Sequence, residues 1–415
     1  MSPPAGYSTE WSVPPTPPAG LAALAEPLAE PDTVGFVHVA RGNDPDRRYL
    51  TRAAEPQQAA AVVCVPTDAG DLEAIYCVSA ADRDAAVADF LTDSGDASAA
   101  EVDHAIDRAV ATREPQTPPA THAVSVLADR LGTTAGSGTL RVPSQLPHDA
   151  AVRLQAAGYE LASTPAVADA RASKTDAERD CLRAVQRGAA HGMQRAHERL
   201  AESTTADGIV RVDGDPLSPR QLEREIAATL AGGGVTPKTV RIRAGDTAPA
   251  EPLAADAGIV VHLVPRGPHG YHGHLTRTVV VDSDGGWDRR AFIAAKAAQT
   301  AARRHCEPGG NVGTVAAEAT AELTAYGFPP RAHPDDDDVA DASEAGGRAA
   351  VHGVGLTPYE APSPTDDGTL QAGSVLAVET SVADPDQGRI RLGTLVAVTA
   401  DGGERLIDAP ISLTP

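Results

Sequence analysis

The sequence has few aromatic residues and no long apolar run. Aromatics make up 3% of its 415 residues although 42% are hydrophobic, so the cores must be built from alanine, valine and leucine. No stretch approaches the roughly 18 consecutive apolar residues of a membrane-spanning helix. The N-terminus also lacks a basic region followed by an apolar one. The sequence therefore predicts neither membrane insertion nor secretion.

Cysteine is scarce and widely spaced. The four cysteines form no C-x-x-C pair, which argues against a zinc ribbon and against a disulfide framework. We expect them to be buried thiols.

Positive charge is also scarce. The formal net charge is -22, and of the 35 basic residues only Lys174, Lys238 and Lys296 are lysines. Concentrated salt screens the self-repulsion that such a charge causes, so this composition is typical of a halophilic, cytoplasmic protein. The same charge argues against nucleic acid as a partner.

Residues 1–32 are rich in proline and predict a flexible tail. Residues 33–172 then alternate short apolar runs with helical patterns, which predicts an α/β domain. Strands are expected at Gly35–Val39, Ala60–Val65 and Ala74–Cys77. Helices are expected at Ala81–Leu91, Glu101–Thr112 and Ala123–Leu131, followed by a helix at His148–Ala157 and a strand at Tyr159–Ala162.

A second domain is predicted for residues 173–415. Thr175 and Glu178 form a capping-box pattern before an amphipathic helix of about seven turns. Ser218 and Pro219 then open a second helix that stops at three glycines. Strands follow, and the order of two helices and then strands occurs twice. This duplication favours an α+β fold.

Five segments of this domain carry a family resemblance. They are Gly-Tyr-His-Gly-His-Leu-Thr-Arg-Thr at 270–278, Cys-Glu-Pro-Gly-Gly at 306–310, Val-His-Gly-Val-Gly-Leu at 351–356, Leu-Ala-Val-Glu-Thr at 376–380, and Gly-Arg-Ile-Arg-Leu-Gly-Thr-Leu-Val-Ala-Val-Thr at 388–399. In order and spacing they resemble the pita-bread metallopeptidases, in the branch of proline aminopeptidase, prolidase and creatinase. The resemblance implies an N-terminal creatinase-like α/β domain, a pita-bread catalytic-type domain, a peptide or small-molecule substrate and a homodimer.

In that family two metal ions are held by two aspartates, one histidine and two glutamates, because closely spaced ions need bridging carboxylates. Carried over by the motifs, the first aspartate falls on Leu263 and the bridging aspartate on His274. The histidine is retained as His352 and the first glutamate as Glu379. The last glutamate falls on Gly393. Two of five ligands remain, so the resemblance implies a degenerate metal site.

His274, His352 and Glu379 are the ligand and catalytic candidates that remain. They could hold one manganese, zinc, cobalt or iron ion and a water molecule, since two imidazoles and a carboxylate form a known one-metal ligand set. The alternative is that His274 only hydrogen-bonds to Glu379 and no metal binds. His262, His269 and His272 lie nearby in the sequence, but only His274 matches a ligand position.

Arg348 and Tyr359 stand where the proline peptidases carry further histidines, and they are candidate substrate-binding residues. Three functions stay open. The first is an Xaa-Pro peptidase-like hydrolase with at most one metal ion. The second is a metal-independent creatinase-type hydrolase of C–N bonds. The third is a non-catalytic binding protein that has kept the fold.

Overall fold

The computed structural model describes residues 12–67, 70–91, 105–132, 136–330, 346–364 and 368–415. The chain divides into two compact units. One unit spans residues 15–171, and the other comprises residues 172–415 together with the described residues before 15.

The first unit is an α/β domain built on a six-stranded mixed sheet with strand order β4-β3-β2-β1-β5-β6. Its elements are α1 (Ala25–Leu28), β1 (Thr33–Ala40), α2 (Pro45–Thr51), β2 (Ala60–Pro66), β3 (Leu72–Ser79), α3 (Arg83–Phe90), β4 (Ile106–Arg113), α4 (Pro119–Leu131), β5 (Thr139–Val142), α5 (His148–Ala156), β6 (Glu160–Ser163) and α6 (Ala166–Ala172). The predicted α/β class is confirmed.

The prediction of a flexible tail is wrong for part of residues 12–32. A 3-10 helix spans Gly20–Leu24 and runs into α1. Leu21, Leu24 and Leu28 are buried. Their burial removes apolar surface from water and so stabilises this segment despite its high proline content. Residues 1–11 lie outside the described residues.

The predicted helix at Glu101–Thr112 is also wrong where the structure describes it. Residues Ile106–Arg113 form β4, which pairs in parallel with β3 at the edge of the sheet. Apolar residues at 106, 109 and 110 fit a helical period, but the neighbouring strand supplies hydrogen-bond partners that override that local preference. Residues 101–104 lie outside the described residues.

The second unit carries the motifs. Its elements are α7 (Asp176–Ala201), β7 (Thr204–Ala206), β8 (Ile209–Val212), β9 (Asp215–Pro216), α8 (Pro219–Gly232), β10 (Thr236–Ala244), β11 (Ile259–Arg266), β12 (Leu275–Val279), α9 (Trp287–Arg304), α10 (Val312–Ala325), β13 (Gly346–Gly353), β14 (Val375–Asp384), β15 (Gly388–Thr399) and β16 (Gly402–Arg405).

Strands β10–β16 form one seven-stranded sheet covered by two pairs of helices, and β7–β9 form a separate three-stranded sheet. The strand order is β10-β11-β12-β15-β14-β13, with β16 paired to β15. Helices α7 and α8 share one apolar core with β10–β12, and α9 and α10 share another with β13–β15. This is the pita-bread arrangement, and the predicted fold is confirmed.

Helix α7 begins as predicted. The Thr175 side chain accepts a hydrogen bond from the Glu178 backbone N–H, and the Glu178 carboxylate accepts one from the Thr175 N–H. Glu178 also accepts a hydrogen bond of 2.5 Å from the Tyr271 hydroxyl. The capping box therefore ties the start of α7 to the segment that precedes β12.

No helix in the described part of the chain is both long enough and apolar enough to span a bilayer.

His197 on α7 gives the fold a measurable pH dependence. Burial, together with the nearby guanidinium of Arg277, lowers the pKa of His197 from 6.5 to about 4. Between these two values the unfolded chain binds a proton that the folded chain does not. The stabilisation by neutral His197 is therefore complete above pH 6.5 and is lost as the pH falls towards the folded value.

We expect the free energy of unfolding of the wild type to fall by about 1–2 kcal/mol more than that of His197→Asn between about pH 7 and about pH 5. Urea unfolding at both pH values measures the difference. His305→Asn, which removes an exposed histidine at the end of α9, is the matched control. Equal acid sensitivity of the wild type and His197→Asn would contradict the prediction.

Candidate active site

A row of facing residues crosses five strands of the pita-bread sheet. His262 on β11 lies opposite Thr276 on β12, and Thr276 lies opposite Gly393 on β15. Gly393 in turn lies opposite Glu379 on β14, which lies opposite Ala350 on β13. Directly paired residues point to the same face of a sheet, so this register gathers residues that are far apart in the sequence.

The opposite face of the same strands is apolar. Leu263, Leu275 and Val378 each lie one position away from a member of the row and are fully buried in the helix-covered cores. The alternation of polar and apolar residues along each strand thus puts the helices on one side and the polar row on the other.

The junction between β12 and β15 depends on side chains as well as on the strand pairing. From the helix side, Arg277 Nη1 donates hydrogen bonds of 2.8 Å to the carbonyls of Thr276 and Gly393. The Thr278 hydroxyl donates to the Arg391 carbonyl at 3.0 Å and accepts from the Arg391 N–H at 2.7 Å. These contacts fix the register on which the row depends.

Glu379 is the centre of the cluster, and both of its carboxylate oxygens are engaged. Oε1 lies 2.6 Å from His274 Nε2 and accepts a hydrogen bond of 2.8 Å from the Thr276 hydroxyl. Oε2 accepts from Arg391 Nε at 2.7 Å and also from Arg391 Nη2. A carboxylate, an imidazole, a hydroxyl and a guanidinium therefore form one closed network.

His262 joins this network through Thr276. Its Nδ1 lies 2.9 Å from the Thr276 hydroxyl oxygen and 3.8 Å from Glu379 Oε1. The threonine has one proton and donates it to Glu379, so it accepts the proton of His262 Nδ1. The His262 and His274 rings lie 5.2 Å apart, edge to face.

Burial sets the protonation of the cluster. Burial alone raises the pKa of the Glu379 carboxyl, but the charge and hydrogen bond of His274, together with Arg391, hold it well below its usual 4.5. Burial and the neighbouring His274 lower the pKa of His262 to about 3 and that of His352 to about 4. At neutral pH the site therefore holds an ionised Glu379 with neutral His262 and His352.

The structure brings together two of the three predicted ligand residues. His274 and Glu379 are in contact, whereas His352 lies further out, with its ring centroid 5.8 Å from that of His274. His352 Nδ1 instead lies 3.1 Å from the carbonyl of Gly353. Among the described residues, the one group of three ligand atoms within 4.8 Å of one another belongs to His262, His274 and Glu379.

Leu263, the predicted position of the first family aspartate, lies outside the cluster. Leu263 faces the apolar core, and its neighbour His262 lies on the site face opposite Thr276. The motif resemblance points to Leu263, but the regular pairing of β11 and β12 puts residues separated by an even number on one face. Counting twelve residues back from His274 would have identified His262.

Gly393 lies in the row where the last glutamate was expected. A Cβ atom there would lie 2.8 Å from both Glu379 Oε1 and Thr276 Oγ1. The hydrogen-bonded side chains of Glu379 and Thr276 therefore occupy the space that a side chain at position 393 would need.

The two predicted substrate-binding residues lie on or beside β13. Tyr359 is 70% exposed, and its ring lies 4.2 Å from that of His352. Arg348 lies opposite Ser381 and shares the face of His352. A buried ion pair between Lys174 and Glu360, with 2.8 Å between Nζ and Oε1, anchors the loop that carries Tyr359. The site thus grades from a buried centre at Glu379 to an exposed rim at Tyr359.

A model of metallopeptidase family M24 matches residues 180–400, more than half of the chain. The chain belongs to metallopeptidase family M24. The predicted membership of the pita-bread family is thereby confirmed.

Individual relatives agree with this assignment. The Xaa-Pro dipeptidase of Pyrococcus horikoshii is 26% identical over 138 residues, which span 33% of this chain and 35% of the relative. The prolidase structure from Pyrococcus horikoshii OT3 matches with a TM-score of 0.70 and 17% identity, covering 95% of this chain and 99% of that one. Dipeptidase PepE from Mycobacterium ulcerans matches with a TM-score of 0.68 and 20% identity, covering 95% and 96%. These structures show the fold.

The M24 family normally binds divalent metal ions, but the residues of this cluster do not fit a two-metal centre. Two adjacent divalent ions need bridging carboxylates, and within the described residues Glu379 is the single carboxylate of the cluster. A lone ion has three donor groups within reach. All three are already bonded to one another, to Thr276 or to Arg391.

The network predicts a specific stability effect for Glu379→Gln. This substitution keeps the shape but leaves the Arg391 guanidinium and His274 without their charged partner. We expect the free energy of unfolding at neutral pH to fall by about 1–3 kcal/mol. Glu404→Gln on the exposed edge strand β16 is the matched control, with an expected change within about 0.5 kcal/mol. Urea unfolding measures both, and a Glu379→Gln variant as stable as the wild type would contradict the prediction.

Proposed function

We propose that this protein is a hydrolase of the Xaa-Pro peptidase type that cleaves a C–N bond in short substrates with His274 and Glu379. The observation that carries this proposal is the contact of 2.6 Å between His274 Nε2 and Glu379 Oε1 at the buried centre of the site. Membership of the M24 family supports the peptidase type of reaction.

The pair has the chemistry of a general base. A carboxylate bonded to one ring nitrogen of a histidine orients the ring and stabilises its protonated form. Nε2 of His274 is held by Glu379, so Nδ1 is the nitrogen that exchanges a proton with water. Within the described residues His274 Nδ1 has no hydrogen-bond partner. His274 would take a proton from the attacking water and return it to the leaving amine.

The residues at the rim of the site are suited to contact a small substrate. In this proposal Tyr359 and His352 form an aromatic wall and Arg348 contributes positive charge on the same face of β13. The acidic composition, with a net charge of -22, supports a cytoplasmic protein of a high-salt cell. A homodimer is also part of the proposal and rests on the family resemblance.

A one-metal hydrolase is the second candidate. It is favoured by the ligand atoms of His262, His274 and Glu379, which lie within 4.8 Å of one another. Manganese, zinc, cobalt or iron would suit two imidazoles and a carboxylate. In this alternative His262 replaces His352 in the predicted ligand set.

Turnover before and after chelation separates the candidates. Release of free amine is measured for Xaa-Pro dipeptides, for matched Xaa-Ala dipeptides and for creatine, with and without molar KCl. We expect hydrolysis that survives a chelator. His274→Ala should lower kcat/KM by at least about 100-fold, because the proton acceptor is removed. His305→Ala, which changes an exposed histidine outside the cluster, should leave kcat/KM unchanged.

Two outcomes would overturn this proposal. Activity that disappears on chelation and returns with manganese, zinc or cobalt would establish the one-metal hydrolase instead. Absence of turnover for every substrate, with or without added metal, would indicate a binding protein that has kept the fold.

A further inference from the structure

Arg391 contacts Glu379 at the centre of the site and keeps its positive charge at every accessible pH. It lies on β15 two residues from Gly393, so both face the polar row. Its Nε and Nη2 both donate to Glu379 Oε2, and no other described residue accepts from its Nη1. The guanidinium is thus held in one orientation on the oxygen of Glu379 that His274 leaves open.

The residues around Arg391 differ from those of the family that the motifs resemble. In that family, two aspartates and two glutamates supply four carboxylates to the ligand set. Here the last of these glutamates is Gly393, His274 takes the place of an aspartate, and Glu379 alone supplies negative charge to the cluster. One carboxylate and one guanidinium sum to zero, so no net negative charge remains to attract a divalent cation.

We propose that Arg391 is a resident cation that replaces metal at Glu379 and keeps divalent ions out of the site. A divalent ion bound through Glu379 must either lie close to the fixed guanidinium or displace it from the carboxylate. Both alternatives are unfavourable in a buried, weakly screened site. The inference deepens the proposed function but does not need turnover, since it concerns binding of the metal alone.

The same contacts explain how the buried Glu379 carboxylate is stabilised. The Glu379 carboxylate would be costly to bury without compensating charge. His274 and Thr276, at and near the start of β12, and Arg391 on β15 supply that compensation. The site is therefore assembled by folding alone, whereas a set of like-charged carboxylates depends on metal for its neutralisation.

The test compares Co²⁺ binding by the wild type, Arg391→Gln and Arg391→Lys. Glutamine removes the charge but keeps an N–H donor for Glu379, and lysine keeps the charge. We expect Arg391→Gln to bind Co²⁺ at least about tenfold more tightly than the wild type, equivalent to about 1.4 kcal/mol, and Arg391→Lys to resemble the wild type. Isothermal titration calorimetry and the visible absorption of bound Co²⁺ are the measurements.

Molar KCl in these titrations suppresses loose binding to the many surface carboxylates. The double variant Arg391→Gln, His274→Ala locates the gain, because it should lose the added affinity if His274 is a ligand. Circular dichroism checks that each variant is folded.

Equal affinities of the wild type and a folded Arg391→Gln would overturn the proposal. Stoichiometric Co²⁺ binding by the wild type would overturn it as well, and this measurement decides the matter even if Arg391→Gln does not fold. Failure of this proposal is distinguishable from failure of the proposed function, because a protein without any turnover can still exclude or bind Co²⁺.

Discussion

The site depends on how the single carboxylate of Glu379 is neutralised. In a metal-dependent relative, ions supply the positive charge that allows several carboxylates to share a small space. Here the Arg391 guanidinium supplies it, and His274 and the Thr276 hydroxyl add hydrogen bonds to the carboxylate. Burial of an unpaired carboxylate would be costly, so the positions of His274, Thr276 and Arg391 are coupled to that of Glu379. The register of three adjacent strands, β12, β15 and β14, is what brings these groups together.

The pita-bread sheet tolerates this exchange because its two faces are independent. The helix-covered face carries the leucines and valines that stabilise the unit. The other face carries the polar row, and its residues can change without disturbing the apolar packing. Arg277 connects the two faces, because its guanidinium lies on the helix side and bonds the carbonyls of two residues of the row.

Much of the fold was predictable from the sequence because local signals and tertiary packing agree. The capping box at Thr175 and Glu178 fixed the start of α7, and the short apolar runs of the first domain identified β1, β2 and β3. Prediction was wrong at β4, where pairing at a sheet edge overrides a helical pattern, and at residues 20–28, where a few leucines order a proline-rich segment.

The site was only partly predictable. Motif order identified His274 and Glu379, since both lie within segments that resemble the family. His262 was missed because a spacing counted along the chain does not include the pairing of β11 with β12, which puts Leu263 in the core. The role of Arg391 follows from contacts across two strands, and the sequence contains no local signal for it.

A crystal structure of the wild-type protein grown with excess Mn²⁺, with anomalous data collected at the manganese edge, tests the central claim most directly. The account predicts no anomalous peak within coordination distance of Glu379 and a guanidinium of Arg391 that still contacts its carboxylate. One or two manganese peaks bound by Glu379 and His274, with Arg391 displaced, would contradict it.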